Sequence, residues 1–192
     1  MDGELKKIFE HLKDEVSDLH YRWSMYRSLY AGSPENIALL NKHGPNFFYY
    51  VQHLMLDHVA LTFSKLTDPN KQGKFANLSL KQIHASAEIN RHTDLLENLD
   101  AKFEELSKLC VPFRELRNKR IAHADLEHAL SENELGFSRK NVDDALNSIG
   151  EYMNIIDGYY NESETVYNAF YCKPGLGGDA VIKALKVADK YS

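Results

Sequence analysis

Cysteine is scarce in this chain: Cys110 and Cys172 are the only two in 192 residues, far apart and without metal-type spacing. That speaks against a disulfide framework and fits thiols used as small core residues in a reducing cytosol. Also missing is a long apolar run free of polar groups. The longest, FFYYVQHLMLDHVALTF, carries His53, Asp57 and His58, which hydrocarbon would penalise, so a buried helix is expected there and no membrane span. The opening MDGELKKIFEHLKDE is charged from its second residue, unlike a signal or transit peptide, and a cytoplasmic location is expected. A broad excess of positive charge is absent too. The net charge of −5 argues against nonspecific duplex binding, which draws on phosphate neutralisation over a wide basic surface, but leaves room for a small basic site.

No segment alternates strictly with period two, and there is neither an internal repeat nor a low-complexity tract. What is present instead is helical spacing. Leu5, Ile8, Phe9, Leu12, Val16, Leu19, Trp23, Tyr26 and Tyr30 form one stripe on a helix over 4 to 30. AGSPE breaks it, and a short helix over 35 to 42 precedes a second long one over 46 to 66, with Phe47, Val51, Leu54, Met55, Leu61 and Leu66 spaced for burial. SLKQ at 79 to 82 has the form of a capping box opening a shorter helix to about 90. A third long element runs from Thr93 or Asp94 to Leu116, bent at Pro112, whose ring crowds the preceding turn. Ser138 caps a fourth, reaching about residue 160, and KPGLGG separates a terminal helix over 179 to 190. The expected fold is all-α: a bundle of four long helices plus short ones, in a single domain over 1–192. Within it, 1–44 holds the first long helix and a short one, 45–172 the bundle core, and 173–192 the terminal helix.

Several chemistries lack their residue patterns. There is no Gly-x-Ser-x-Gly, and Cys110 sits between Leu109 and Val111, where a thiol is usually inert. KPGLGG follows no strand and lacks the Gly-Lys-Ser/Thr ending of a phosphate loop. His53, Asp57 and His58 form a weak metal signal, as do Asp125 and His128, but the paired Glu-x-x-His of di-iron bundles is absent, so neither a metal nor a cofactor is expected. The tyrosines of FFYY at 47 to 50 and GYY at 158 to 160 could stack on bases, though at helical spacing core is the better expectation.

One stretch does concentrate charge. From 108 to 120, Lys108, Arg114, Arg117, Lys119 and Arg120 stand against Glu115 alone, five positive to one negative, a balance of +4. In RELRNKRIAHAD the three arginines and His123 recur every third residue. A purely structural account has the basic residues complementing a helix end, with Glu115 and Lys119 paired at i,i+4, each effect about a few tenths of a kcal/mol. A functional account uses arginine's fixed charge and forked donors to hold a phosphate, and histidine to move a proton near neutrality. Together these allow metal-free RNA cleavage with the ribose 2′-OH as nucleophile. On a continuous α-helix at about 100° per residue, Arg120 lies near His123. Arg117 reaches it only if the helix ends or bends near 121, or if two chains assemble the site around a two-fold axis.

RNKRIAH resembles the signature of the HEPN superfamily: arginine, a polar residue, then histidine after four to six positions. The order of FSKLTDP (63 to 69), NLSL (77 to 80), LRNKRIAHAD (116 to 125) and GGDAVIKALK (177 to 186) resembles its AbiU2-like abortive-infection branch. The resemblance implies a helical homodimer that cleaves RNA without metal in antiphage defence or a toxin–antitoxin setting, with an antitoxin or another defence component as a partner. It implies Arg117 and His123 as the catalytic pair and Asn118 as a polar supporter. Arg120 joins them on helical geometry. Asp125, where some relatives have a tyrosine, either orients His123 or caps a helix. The second functional class is a noncatalytic helical adaptor whose basic stretch is an RNA- or protein-docking surface.

Overall fold

The apolar stripe of the first thirty residues buries as one face. In the computed structural model, which describes residues 1, 3–121, 136–169 and 175–191, α1 (Gly3–Tyr30) sets Leu5, Phe9, Leu12, Val16, Leu19 and Trp23 into the core. Ser33 caps α2 (Pro34–His43) by accepting from the Asn36 amide, and Pro34 starts it with its fixed φ. Next come α3 (Pro45–Leu66), α4 (Lys81–His84), α5 (Thr93–Leu109) and α6 (Val111–Leu116). The chain closes with α7 (Arg139–Asn161) and α8 (Gly178–Ala188). Ser138 and Asn141 cap α7 reciprocally, a capping box at the expected serine. The four long helices α1, α3, α5 and α7 confirm the all-α expectation. α5 packs on α7, α1 on α3 and α8, and α6 on α3. Among the described residues no helix is long and apolar enough to cross a membrane.

Several local expectations are corrected. A minimal antiparallel hairpin, β1 (Lys71–Gln72) with β2 (Phe75–Ala76), occupies the breaker after α3. Its turn uses Gly73 at φ 60°, a left-handed conformation that glycine adopts without a Cβ clash. SLKQ forms no capping box: Gln82 Nε2 donates to the Asn70 and Asn77 carbonyls, and the helix it opens ends at His84. Pro112 breaks the third long element where a bend was expected, with α5 ending at Leu109 and α6 starting at Val111. On α3 the buried face is Leu56, Val59, Ala60, Phe63 and Leu66, whereas Phe47 and Leu54 stand in solvent. An apolar run on both sides of a helix does not reveal which side meets α1 and α6. Val181 of α8 is likewise exposed, and Ile182 carries the burial. Gly178 starts α8 directly against α1, where a Cβ would collide with Ser28 and Leu29.

Candidate functional site

The motif is delivered by a short, firmly packed helix. Phe113 of α6 is fully buried and stacks on Phe63 of α3 with ring centroids 4.7 Å apart, and Leu116 is buried beside it. Immediately afterwards the α-helix stops. Arg117–Ile121 form a π-type turn with no buried side chain, a widened i→i+5 geometry common at functional sites. The third long element ends at Leu116 as expected, but the continuous α-helical spacing used to set Arg120 near His123 does not hold over 117–121. The Glu115–Lys119 pair is corrected with it, since neither residue has an ion-pair partner among the described residues. His123 and Asp125 lie outside the described residues, as does Cys172.

Both motif arginines are held by carboxylates from the α3 region. Arg117 Nη1 donates to the two oxygens of Asp68 at 2.9 and 2.7 Å, while its Nε donates to Asn118 Oδ1 at 3.1 Å. Arg120 Nη2 donates to Asp57, eleven residues before Asp68, in the middle of α3. Arg114 Nη2 donates to the Ser107 carbonyl at 2.6 Å, and Lys108 pairs with Glu104 at 2.8 Å. Two of the positive charges are thus met by carboxylates distant in sequence, Asp68 and Asp57, and a third by Glu104, four residues from Lys108. Neither clamp is sealed from water. The side chains are 22% and 26% exposed for Arg117 and Asp68, and 24% and 32% for Arg120 and Asp57. Lys119 and Asn118 are exposed beside them.

The loop carrying Asp68 is braced. Thr67 donates back to the Phe63 carbonyl at 2.9 Å and ends α3. Asn77 Nδ2 donates to the Pro69 carbonyl at 2.8 Å, the Asn77 amide to the Asn70 carbonyl at 2.9 Å, and the Leu80 amide to the Leu66 carbonyl at 2.9 Å. The segments TDP and NLSL therefore meet behind Asp68. Neither Asp57 nor Asp68 is legible in the sequence as an arginine partner. Asp57 had been considered only as a metal ligand, and Asp68 lies 49 residues from Arg117, beyond any spacing rule.

The remaining candidates settle elsewhere. His58 Nε2 meets Thr62 Oγ1 at 3.3 Å, and the His53 ring lies tilted against Tyr49, centroids 4.4 Å apart. Among the described residues no three His, Cys, Asp or Glu side chains converge as metal ligands. Cys110 is fully buried, and burial pushes its thiol up to about 12, an inert group. Tyr49, Tyr50 and Tyr159 are at least half exposed, which corrects the core expectation for these tyrosines. A cavity of about 790 Å³ between α1 and α7 is lined by His20, Trp23, Arg27, Asp143 and Tyr167. None of its described lining residues belongs to the motif.

Compared with known proteins, the chain matches a family model described as AbiU2, HEPN_AbiU2, over residues 2–171. No curated protein and no solved structure matches it.

Proposed function

Because this chain belongs to the HEPN AbiU2 family, we propose that it is a metal-independent endoribonuclease acting in the cytoplasm, in antiphage defence or a toxin–antitoxin setting. The observation that carries this reading is Arg117, set on a widened turn with its guanidinium oriented by Asn118 and Asp68 and still open to solvent. In the reaction, the 2′-oxygen attacks the adjacent phosphorus as His123 takes the hydroxyl proton. The P–O5′ bond breaks, and the departing oxygen receives a proton from the same or the second copy's histidine. Arg117 stabilises the negative charge that builds on the non-bridging oxygens. The products are a 2′,3′-cyclic phosphate and a 5′-hydroxyl. Arginine and histidine supply every proton and charge this chemistry needs.

The functional form in this proposal is a homodimer, with an antitoxin or another defence component as its restraint. Phe47, Tyr50 and Leu54 line the outer face of α3 and are each more than half exposed, an apolar patch on a lone chain. The same helix carries Asp57, so a second copy seated there brings two motifs into one neighbourhood. Sedimentation tests this: a dimer is expected for the wild type and a monomer for Leu54→Asp.

The carboxylates on both arginines favour the second reading, a noncatalytic binding module, to the extent that they reduce the charge available to RNA. Incubating purified protein with RNA in excess chelator separates the two. Fragments ending in 2′,3′-cyclic phosphate are expected; intact RNA bound without cleavage would select the binding module.

A further inference from the structure

We propose that Asp68 is the positioning residue for Arg117, aiming one edge of its guanidinium at a non-bridging oxygen of the scissile phosphate; this rests on the endoribonuclease reading above. Arg117 commits Nη1 to Asp68 and Nε to Asn118, and among the described residues no acceptor takes Nη2. Two fixed points define the plane of the group and leave Nη2 as the donor to an incoming oxygen.

A swinging surface carboxylate would not do this, because the ordering would have to be supplied when substrate binds. Asp68 is not of that kind. It follows the α3 terminus directly, and its amide donates to the Lys65 carbonyl at 3.3 Å. Behind it, Gln82 Nε2 ties together the Asn70 and Asn77 carbonyls at 2.8 and 3.0 Å. The bracing of residues 66 to 82 thus delivers one charged group to the motif. Asp57 holds Arg120 separately on mid-α3, so the two arginines do not exchange places. In this assignment Arg120 is a strut and Arg117 the phosphate ligand.

A carboxylate beside the phosphate site repels the substrate while it aligns the donor. Asp68→Asn keeps the size and one acceptor oxygen but removes the charge that holds Nη1. Its kcat is expected to fall roughly 100-fold, the scale of a misplaced catalytic group, with KM unchanged or lower. A loss of folded protein would also lower kcat, so a stereochemical readout is needed. The probe is an oligoribonucleotide spanning a cut mapped on bulk tRNA, carrying a single Rp or Sp phosphorothioate at the scissile position. An oriented Nη2 contacts one non-bridging oxygen, so wild type is expected to cleave the two diastereomers at different rates, and Asp68→Asn at nearly equal rates. Equal slowing of both with the wild-type ratio preserved would mean that Asp68 is only structural, and overturns the proposal. Unchanged kinetics in Asp68→Asn, or no diastereomer preference in wild type, overturns it as well. If wild type cuts no RNA at all, the endoribonuclease reading falls first and this assignment with it.

Discussion

Two sets of ion pairs in this molecule differ in how deeply their carboxylates are buried. Between α1 and α7, Asp157 is 1% exposed and takes Lys13 Nζ at 2.7 Å, Asn161 Nδ2 at 2.8 Å and Thr165 Oγ1 at 3.1 Å. Both of its oxygens are engaged, although Lys13 itself is 29% exposed. At the motif, the carboxylates of Asp68 and Asp57 are 26% and 32% exposed, and Arg117 keeps a donor edge. The difference separates two roles for the same chemistry. A pair whose carboxylate is sealed and engaged on both oxygens holds helices in register, whereas a pair with a half-open carboxylate and a free donor edge can accept a ligand.

Breaking the sealed pair tests the first role most severely. Lys13→Ala leaves a buried carboxylate without its cation, which destabilises by about 3–5 kcal/mol; denaturant unfolding should show it. Acid strains the same region somewhat less. His20, buried beside Tyr167, is lowered to about 4 by burial, opposed in part by a hydrogen bond with the Leu146 backbone. Between the unfolded value of 6.5 and the folded value of about 4, the unfolded chain holds a proton that the folded chain lacks. Stability is therefore full above this window and declines as pH falls through it, by up to about 3 kcal/mol. Burial alone would raise Asp157, but its hydrogen bonds from Lys13 and Asn161 and the lysine charge outweigh that and lower it. Its contribution is lost in the same direction, as pH falls through that depressed folded value. His20→Gln should flatten the slope between pH values of about 6.5 and 4, as measured by denaturant midpoints across pH.

The half-open pairs should behave otherwise. Arg117→Ala and Arg120→Ala are expected to change stability by no more than about 1 kcal/mol each, read from the same unfolding curves. A loss as large as that of Lys13→Ala would erase the distinction between the regions. Smallest of all, Phe47→Ala should stay within about 0.5 kcal/mol in the monomer, because its ring already stands in water.

Much of this architecture was legible beforehand. The stripe of α1 predicted most of its buried face, from Leu5 through Trp23 to Tyr30, with Ile8 half-buried and Leu29 buried outside the stripe, since a polar opposite face left a single way to pack. α3 was less legible because its first half is apolar on both sides, and only contact with α1 and α6 selects Leu56, Val59 and Phe63 over Phe47 and Leu54. At the site, Arg117 and Asn118 stood out from their spacing to His123. Their partner did not, because Asp68 and Arg117 are neighbours only after α6 has folded back along α3. Charge counting along the sequence therefore overstated the basic character of the motif. The π-type turn at 117 to 121 also escaped, since nothing in RNKRI distinguishes it from a continuing helix.

The most direct test sets Arg117→Ala and His123→Ala beside Lys13→Ala, each assayed for RNA cleavage in chelator and melted in parallel. The account predicts that the two motif variants lose cleavage while melting like wild type, and that the Lys13 variant melts early yet cleaves normally at temperatures where it is folded. Cleavage surviving in folded Arg117→Ala would contradict it.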